Sequence, residues 1–323
     1  MSVVLFFAGL ALLVMGAEIL VRGASNLAGT LGISPLVVGL TVVAFSTSAP
    51  ELAVSAKAAL EGDAAMALGN VVGSNIFNVL FILGTSALIV PLTVSRQLIR
   101  LDVPIMVLLS GAVFAMGLDG NISFLDACLL LVSLVIYVWF SVWQARRSGA
   151  ENVDMELPLS KRWSGMRSSL AVAAGLALLV LGSRWLVQGA VALAGALGVS
   201  EIVIGLTIVA AGTSLPEVVT SIVAALRGER DMAVGNVVGS NIFNVLGVLG
   251  LAGLLAPSGI TVPVAVREFD MVVMIGAAVL CLPVFFSGGV ISRREGALLL
   301  GLYVLYTAYV VLDASGHGGL WYM

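Results

Sequence analysis

Charge is scarce in this sequence: Lys, Arg, Asp and Glu together make up 10% of its 323 residues, against about 25% in soluble domains. The mean hydropathy is +1.14. These two values exclude a water-soluble enzyme. With 15 basic and 18 acidic side chains, the formal net charge is −3. That balance leaves no basic surface for nucleic acid, which we exclude as a partner.

Motifs for redox, metal and nucleotide chemistry are absent as well. The two cysteines, Cys128 and Cys281, lie inside apolar runs, which excludes a disulfide framework and a CxxC metal site. Neither a GxxxxGK[ST] loop nor a GxGxxG turn between strand and helix occurs, and no cofactor is expected. What remains is a polytopic membrane protein whose partner is the lipid bilayer. Most of the chain consists of apolar stretches of about 20 residues, the length of a membrane-spanning helix.

Ten such helices are predicted, and the fold class is therefore an all-α polytopic membrane protein. The first is interpreted as a retained helix, because it is long and no positive charge precedes it. A polar stretch from Gln144 to Arg167 separates the first five helices from the last five. The predicted spans are 3–21, 34–60, 66–90, 103–118, 124–143, 169–187, 201–226, 232–256, 270–286 and 295–312.

The two sets of five helices repeat each other. A shift of 166 places residues 32–84 on 198–250 without a gap, and about 33 of the 53 positions are identical. The segment GNVVGSNIFNVL occurs twice without any change. An ungapped match that includes Asn, Ser, Thr, Pro and Glu indicates an internal duplication. The chain divides accordingly into a first repeat, 1–143, a cytoplasmic linker, 144–168, and a second repeat, 169–323.

Five helices per repeat is an odd number, so the second repeat must cross the membrane in the opposite sense to the first. Inverted-topology repeats are typical of secondary transporters, whose site lies at the membrane midplane. Basic residues favour the cytoplasmic side. Placing both termini outside leaves only three of the fifteen basic residues away from the cytoplasm: Lys57, Arg184 and Arg267. The expected location is the cell inner (plasma) membrane.

Each repeat carries one unusual motif midway along an apolar span: STSAPE at 46–51 and GTSLPE at 212–217. The proline cannot donate a backbone hydrogen bond to the carbonyl four residues earlier. A carbonyl freed in lipid needs a polar partner, and a bound cation is an obvious one. The motif ends in Glu51 or Glu217. A carboxylate inside a membrane is costly and usually marks function, and here two occupy equivalent positions.

The neighbouring residues supply oxygen atoms only. Three residues of each motif and the alanine two positions before it share one helical face at steps i, i+3, i+4 and i+7: Ala44, Thr47, Ser48 and Glu51, then Ala210, Thr213, Ser214 and Glu217. The next helix of each repeat adds a second polar face: Asn70, Ser74 and Asn78, then Asn236, Ser240 and Asn244. Hard oxygen ligands suit Ca²⁺ and Na⁺ rather than zinc or copper.

On these residues the sequence resembles the sodium/calcium exchanger superfamily of cation/Ca²⁺ antiporters, and in particular its bacterial calcium/sodium antiporters. The specific part is the pair of repeats, each with its TSxPE motif followed by GNVVGSNIFN. The resemblance implies ten helices, an inverted repeat and alternating access by sliding of a two-helix bundle. It also implies a role for each residue. Ca²⁺ would be held by Glu51, Glu217, Thr47 and Thr213. The Na⁺ sites would be completed by the carbonyls of Ala44 and Ala210 and by Ser48, Ser214, Ser74 and Ser240, with Asn78 and Asn244 lining the centre.

Two positions depart from the family's pattern. Ser46 replaces the usual Gly of the first GTS motif. Asn244 stands where several relatives have Asp. The proposed site therefore contains two central carboxylates instead of three.

The expected function is exchange of Na⁺ for Ca²⁺ by alternating access at a shared midplane site, with inorganic cations as substrates and no enzymatic reaction. Overlap of the Na⁺ and Ca²⁺ ligands would make the two ions compete, and competition would couple their transport. One alternative is a proton-coupled or K⁺-dependent Ca²⁺ exchanger of the same fold. A second is a cation channel, which two clustered carboxylates in broken helices disfavour. Protein partners are not identified by the sequence.

Overall fold

A computed structural model describes residues 2–148, 163–196, 210–256, 258–286 and 288–313. It is 87% helical, as the predicted fold class requires. Among these residues, eight helices are long and apolar enough to cross a membrane, and a bent pair of helices makes a ninth span. Most of the predicted linker and the first part of the predicted helix 201–226 lie outside the described residues.

The first half of the chain forms six helices and two short strands. The helices are α1 Ser2–Leu31, α2 Pro35–Thr47, α3 Ala49–Leu60, α4 Ala64–Ile89, α5 Leu98–Asp119 and α6 Phe124–Ser148. The strands β1 and β2 follow α4 and α5 and comprise Leu92–Thr93 and Asn121–Ile122.

The second half follows the same order. Its helices are α7 Gly165–Ala196, α8 Ala210–Gly212, α9 Leu215–Leu226, α10 Arg230–Leu255, α11 Val266–Phe286 and α12 Arg293–Leu312. The strands β3 and β4 comprise Ile260–Thr261 and Val290–Ile291. Short π-helical segments interrupt several of the long helices. Two of them, in α4 and α10, begin at the equivalent residues Asn78 and Asn244, and such segments are frequent at functional sites.

Helices α1 and α7 are longer than the predicted spans 3–21 and 169–187. The predicted C-terminal ends follow hydropathy, which falls at Arg22 and at Gln188, whereas the backbone continues as helix through the Ala- and Gly-rich segments beyond them. The two helices contain 30 and 32 residues, or about 45 Å or more at 1.5 Å per residue. That length exceeds the roughly 30 Å hydrocarbon core, so each helix is long enough to cross it with a tilt.

The described residues pack into two compact units, each of which takes segments from both sequence repeats. The first unit comprises Met1–Ser48 and Val135–Gly239, and the second comprises Ala49–Leu134 and Ser240–Met323. The boundaries between the units therefore differ from the boundaries between the repeats.

In the first unit, α1 and α7 pack together through glycines spaced seven residues apart. A Cβ atom on Gly16 would lie 2.8 Å from the carbonyl oxygen of Gly175, and one on Gly9 would lie 2.7 Å from that of Gly182. Real side chains do not fit at such distances. Small residues permit this close backbone approach, which supplies packing where lipid offers no hydrophobic drive.

Gly16→Ala should therefore destabilise the α1–α7 pair, since the added methyl group meets backbone that cannot move aside. Overpacking of this kind costs about 1–3 kcal/mol. The measurement is the melting temperature of the purified protein in detergent, which should fall. Gly301→Ala is the matched control, because no described atom lies within 4 Å of a Cβ there. Equal melting temperatures for the two variants would contradict this packing.

In the second unit, two antiparallel ribbons join the repeats. In one, β1 pairs with β4 through Leu92↔Ile291. In the other, β2 pairs with β3 through Ile122↔Ile260. Each ribbon thus takes one strand from each repeat, and the three isoleucines and the leucine are fully buried. The first ribbon joins the α4–α5 connection to the α11–α12 connection. The second joins the α5–α6 connection to the α10–α11 connection.

Candidate functional site

The helix that carries the STSAPE motif stops and restarts within the motif. Ser48 ends α2 with φ −77° and ψ 3°, and Ser214 precedes α9 with φ −89° and ψ 7°. Pro50 and Pro216 then occupy the first turn of the new helix, where a missing N–H costs nothing. Glu51 and Glu217 lie in the same first turns, and the helix dipole there stabilises a negative charge.

The carbonyl that Pro216 leaves free has a protein partner. Ser183 Oγ donates to the carbonyl oxygen of Gly212 at 2.6 Å, so this carbonyl does not by itself require a cation. No pattern in the sequence indicated that this hydroxyl would lie there. In the first repeat the equivalent residues are Ala17 and Ser46, and alanine has no hydroxyl to donate.

In the first unit, hydroxyl groups from α2 meet the carboxylate of α9. Glu217 is 1% exposed, and Ser48 Oγ donates to its Oε1 at 3.4 Å. Thr47 Oγ1 lies 3.2 Å from Oδ1 of Asn236 and 3.3 Å from the carbonyl oxygen of Ala44. The first repeat thus supplies hydroxyls and the second supplies the charge, in one cluster of oxygen atoms.

The remaining candidates of the first unit lie in and beside the turn between α8 and α9. Ser214 is buried there. Oγ1 of Thr213 is also buried and has no hydrogen-bond partner among the described atoms. A buried hydroxyl normally has one, so this oxygen is available as a ligand. Ala210 is the first described residue of α8, but its side chain lies outside the described part of the chain.

The second unit contains the other carboxylate. Glu51 is 1% exposed. Asn70 Nδ2 donates to its backbone carbonyl at 3.3 Å and to Ser55 Oγ at 2.9 Å. In the first unit, the equivalent Asn236 Nδ2 donates to Ser221 Oγ at 3.0 Å. The predicted ligands Ser74 and Ser240 are both buried in the second unit.

Four buried asparagines of α4 and α10 form a closed network in the second unit. Asn75 Nδ2 donates to the backbone carbonyl of Asn241 at 3.2 Å, and Asn241 Nδ2 donates to that of Asn75 at 3.3 Å. Because a carbonyl only accepts, these bonds fix which end of each amide faces it. The two remaining side-chain oxygens accept from Nδ2 of Asn78, at 3.0 Å, and of Asn244, at 3.1 Å.

Two side-chain oxygen atoms of this network accept no hydrogen bond from the described atoms. Oδ1 of Asn78 and Oδ1 of Asn244 are buried without a hydrogen-bond partner among the described atoms. Each amide is held through its nitrogen, so its oxygen can bind a cation without breaking a hydrogen bond. The arrangement presents two oriented, neutral oxygen atoms at equivalent positions of the two repeats.

Sequence reasoning missed Asn75 and Asn241. It followed four-residue steps along one face, from Asn70 to Asn78, and position 75 lies on a neighbouring face. The signal available was the presence of Asn in both copies of GSNIFN. Among the described residues, no group of three His, Cys, Asp or Glu side chains converges as in a resident metal centre. The oxygen cluster is instead built mainly from hydroxyls and amides.

A family model for the sodium/calcium exchanger protein matches residues 1–143 and 168–312. The chain belongs to the sodium/calcium exchanger family. The match covers both halves of the chain and omits the polar stretch between them. The homologues are ion exchangers rather than enzymes, and this member is an antiporter of the calcium and sodium transport class.

Relatives match this family member over nearly its full length. The putative antiporter CaxA of Alkalimonas amylolytica is 38% identical, with 92% of this chain and 95% of the relative covered. The inner membrane protein YrbG of Escherichia coli K12 is 36% identical over 95% and 96%. A solved structure of the sodium-calcium exchanger NCX_Mj aligns with a TM-score of 0.81 at 32% identity, covering 95% of this chain and 97% of that one.

Proposed function

We propose that this family member exchanges Na⁺ for Ca²⁺ at one shared site, which opens alternately to the two sides of the membrane. The observation that carries the proposal is the equivalent burial of Glu51 and Glu217, each in the first turn of a helix that restarts inside an apolar span. Two carboxylates balance the charge of one Ca²⁺. The unpartnered oxygens of Thr213, Asn78 and Asn244 would complete its coordination. The ions are substrates, and no cofactor is invoked.

Neutral oxygens favour Na⁺ over H⁺ as the counter-ion. The motifs supply Thr47, Ser48, Thr213 and Ser214, whose hydroxyls can coordinate Na⁺ but would not take up a proton in place of Ca²⁺. When Na⁺ ions occupy these oxygens and the carboxylates, Ca²⁺ has no site. Mutual exclusion of this kind couples the inward movement of Na⁺ to the outward movement of Ca²⁺.

We also propose that ten helices form two inverted repeats, 1–143 and 169–323, in the cell inner (plasma) membrane. Both termini would lie outside the cytoplasm, and the linker 144–168 would lie inside it. The support for this arrangement is that contacts occur in equivalent pairs. The bond from Asn70 to Ser55 has its counterpart from Asn236 to Ser221. The two halves of the asparagine network, and the two ribbons, correspond in the same way. An inverted repeat generates such pairs.

The test is Ca²⁺ uptake into everted membrane vesicles under separate gradients of Na⁺, K⁺ and H⁺. We expect an outward-directed Na⁺ gradient at fixed pH to drive uptake that saturates with Ca²⁺. Uptake that follows only a pH gradient would replace Na⁺ by H⁺ in the proposal, and an added requirement for K⁺ would extend it. Flux without any counter-ion would indicate a channel.

Asn241→Ala should weaken Ca²⁺ binding, because Asn78 would lose the acceptor that directs its oxygen. A buried hydrogen bond of this kind contributes about 1 kcal/mol, and an oxygen that turns away from the cation adds to the loss. We expect the KM for Ca²⁺ to rise about tenfold, with a smaller change in kcat. Asn75→Ala should act equally on Asn244, whereas Asn121→Ala, at a half-buried position of β2 outside this network, is the control. Unchanged KM values in both network variants would contradict the role of the asparagines.

A further inference from the structure

An ion pair in the first unit joins α1 to the end of the helix that carries Glu217. Glu18 of α1 pairs with Arg227, which directly follows α9. Both Nε and a terminal nitrogen of the guanidinium contact the carboxylate. Ser25 Oγ, further along α1, donates to Glu229 Oε1 at 2.6 Å. Two contacts therefore tie α1 to the connection between α9 and α10.

The equivalent positions of the other repeat hold a second acidic and basic residue, with the two charges exchanged. A shift of 166 relates Glu18 to Arg184 and Glu61 to Arg227. If only one of these two residues had changed the sign of its charge between the repeats, the second set would consist of two like charges. Here both are reversed, so the second set, Arg184 and Glu61, is again complementary. The duplication has diverged at these two positions without losing the possibility of pairing.

The residues of the second set are exposed in this structure. Glu61 pairs with Lys57 of its own helix at 3.7 Å, and both side chains are more than half exposed, 64% and 74%. Arg184 is exposed and makes no ion pair with an acidic residue in the described part of the chain. Both groups are therefore available to another partner when the structure changes.

We propose that Glu18 and Arg227 form one of two alternative locks of the transport cycle, and that Arg184 and Glu61 form the other. The inference rests on the alternating access proposed above. In an inverted-repeat transporter the two states arise by exchange of the roles of the repeats, so a contact made by one set of residues in one state is made by the equivalent set in the other. The structure has the first lock formed. In the proposed orientation, this lock closes the cytoplasmic side.

Two reporter cysteines test the locks after Cys128 and Cys281 have been replaced by serine. Ala224→Cys lies one turn before Arg227, and Ala58→Cys is its equivalent before Glu61; both positions are buried. The readout is the labelling rate with a membrane-impermeant thiol reagent. Inside-out vesicles expose the cytoplasmic side, for position 224, and right-side-out vesicles expose the outer side, for position 58.

Glu18→Gln should raise labelling at 224 and lower it at 58, whereas Arg184→Gln should do the opposite. Partly exposed ion pairs bias an equilibrium modestly, so each change should be about two- to fivefold. The same bias should appear without cysteines as a lower KM for Ca²⁺ on the cytoplasmic side in Glu18→Gln and a higher one in Arg184→Gln. This second measurement covers the case in which a reporter variant does not fold.

Arg22→Gln is the matched control. Arg22 pairs with Glu18 along the same helix at 2.7 Å, and its equivalent in the second repeat is Gln188, so labelling should change less than twofold. The triple variant Glu18→Arg, Arg22→Gln, Arg227→Glu gives the first set the residue types found at positions 184, 188 and 61. Because the ion pair is kept with its charges exchanged, labelling should return to the wild-type rates.

Two outcomes would overturn the locks: shifts of the same sign in Glu18→Gln and Arg184→Gln, or no shift in either. Labelling does not depend on the identity of the transported ions. Wild-type vesicles without Na⁺-driven Ca²⁺ uptake would therefore refute the proposed function and leave the locks open to this test. Normal uptake with no opposed shifts would refute the locks alone.

Discussion

Glu217→Gln should abolish Na⁺-driven Ca²⁺ exchange, lowering the flux at least a hundredfold, while the protein remains folded and inserted. Glutamine keeps the shape of the side chain and an oxygen that can accept from Ser48, as Oε1 of Glu217 does at 3.4 Å. It removes the charge. At an effective dielectric constant of about 20, even two unit charges ~4 Å apart attract by about 4 kcal/mol, and roughly 1.4 kcal/mol is a tenfold change in affinity. One remaining carboxylate leaves Ca²⁺ under-neutralised.

Glu51→Gln should have the same effect, since Glu51 is equally buried and occupies the equivalent position of the other repeat. The control is Glu268→Gln, in which the lost carboxylate is 47% exposed and pairs only with the neighbouring Arg267 among the contacts described. All three variants are compared by flux per folded protein, with folding checked by size-exclusion chromatography. Wild-type flux in both site variants would show that these carboxylates do not bind Ca²⁺.

Asn244→Asp should make exchange sensitive to alkaline pH. In the structure, Asn244 Nδ2 donates to Oδ1 of Asn75 at 3.1 Å, and that oxygen cannot be turned away because Asn75 Nδ2 is held by the carbonyl of Asn241. A carboxylic acid that keeps its proton can make the same donation. An ionised carboxylate cannot, and it places a negative oxygen against the amide oxygen and adds a third charge near the ions. The extra charge should hold cations too tightly and slow turnover.

The direction follows from protonation: the variant should exchange Ca²⁺ at nearly the wild-type rate where its carboxyl is protonated, and lose activity as the pH rises and the proton leaves. Leaving a buried acceptor unpaired costs about 1–3 kcal/mol, so the loss should be tenfold or more. The measurement is a pH series of Na⁺-driven Ca²⁺ flux. Asn244→Ala is the control, because it loses the donor at every pH. Identical pH profiles for the wild type and Asn244→Asp would contradict the orientation argued for these amides.

Much of the candidate site can be proposed from the sequence because its residues recur. Glu51 and Glu217 stand out because a carboxylate in an apolar span is costly. Because the motif occurs twice at equivalent positions, its presence is not a coincidence of sequence. Asn78 and Asn244 follow from the duplicated segment. The length of the apolar stretches also identified most of the helices, since such stretches are the strongest signal in a membrane sequence.

What escaped prediction depends on contacts between segments far apart in the chain. Asn75 acts through the backbone of Asn241, 166 residues away, and no pattern within one helix reveals such a partner. Ser183 satisfies the Gly212 carbonyl from another helix. Hydropathy could not give the full length of α1, because the helix continues through a polar segment that packing supports. The grouping of segments from both repeats into each unit also depends on tertiary contacts.

The most direct test of the shared site is equilibrium binding of radioactive Ca²⁺ to the purified protein as Na⁺ is raised at constant ionic strength and pH. Overlap of the ligands predicts that Na⁺ weakens Ca²⁺ binding progressively and without limit, and that choline in its place has no effect. Glu217→Gln should bind little Ca²⁺ under any of these conditions. Ca²⁺ affinity that stays constant while Na⁺ rises to saturation would contradict a single site used by both ions.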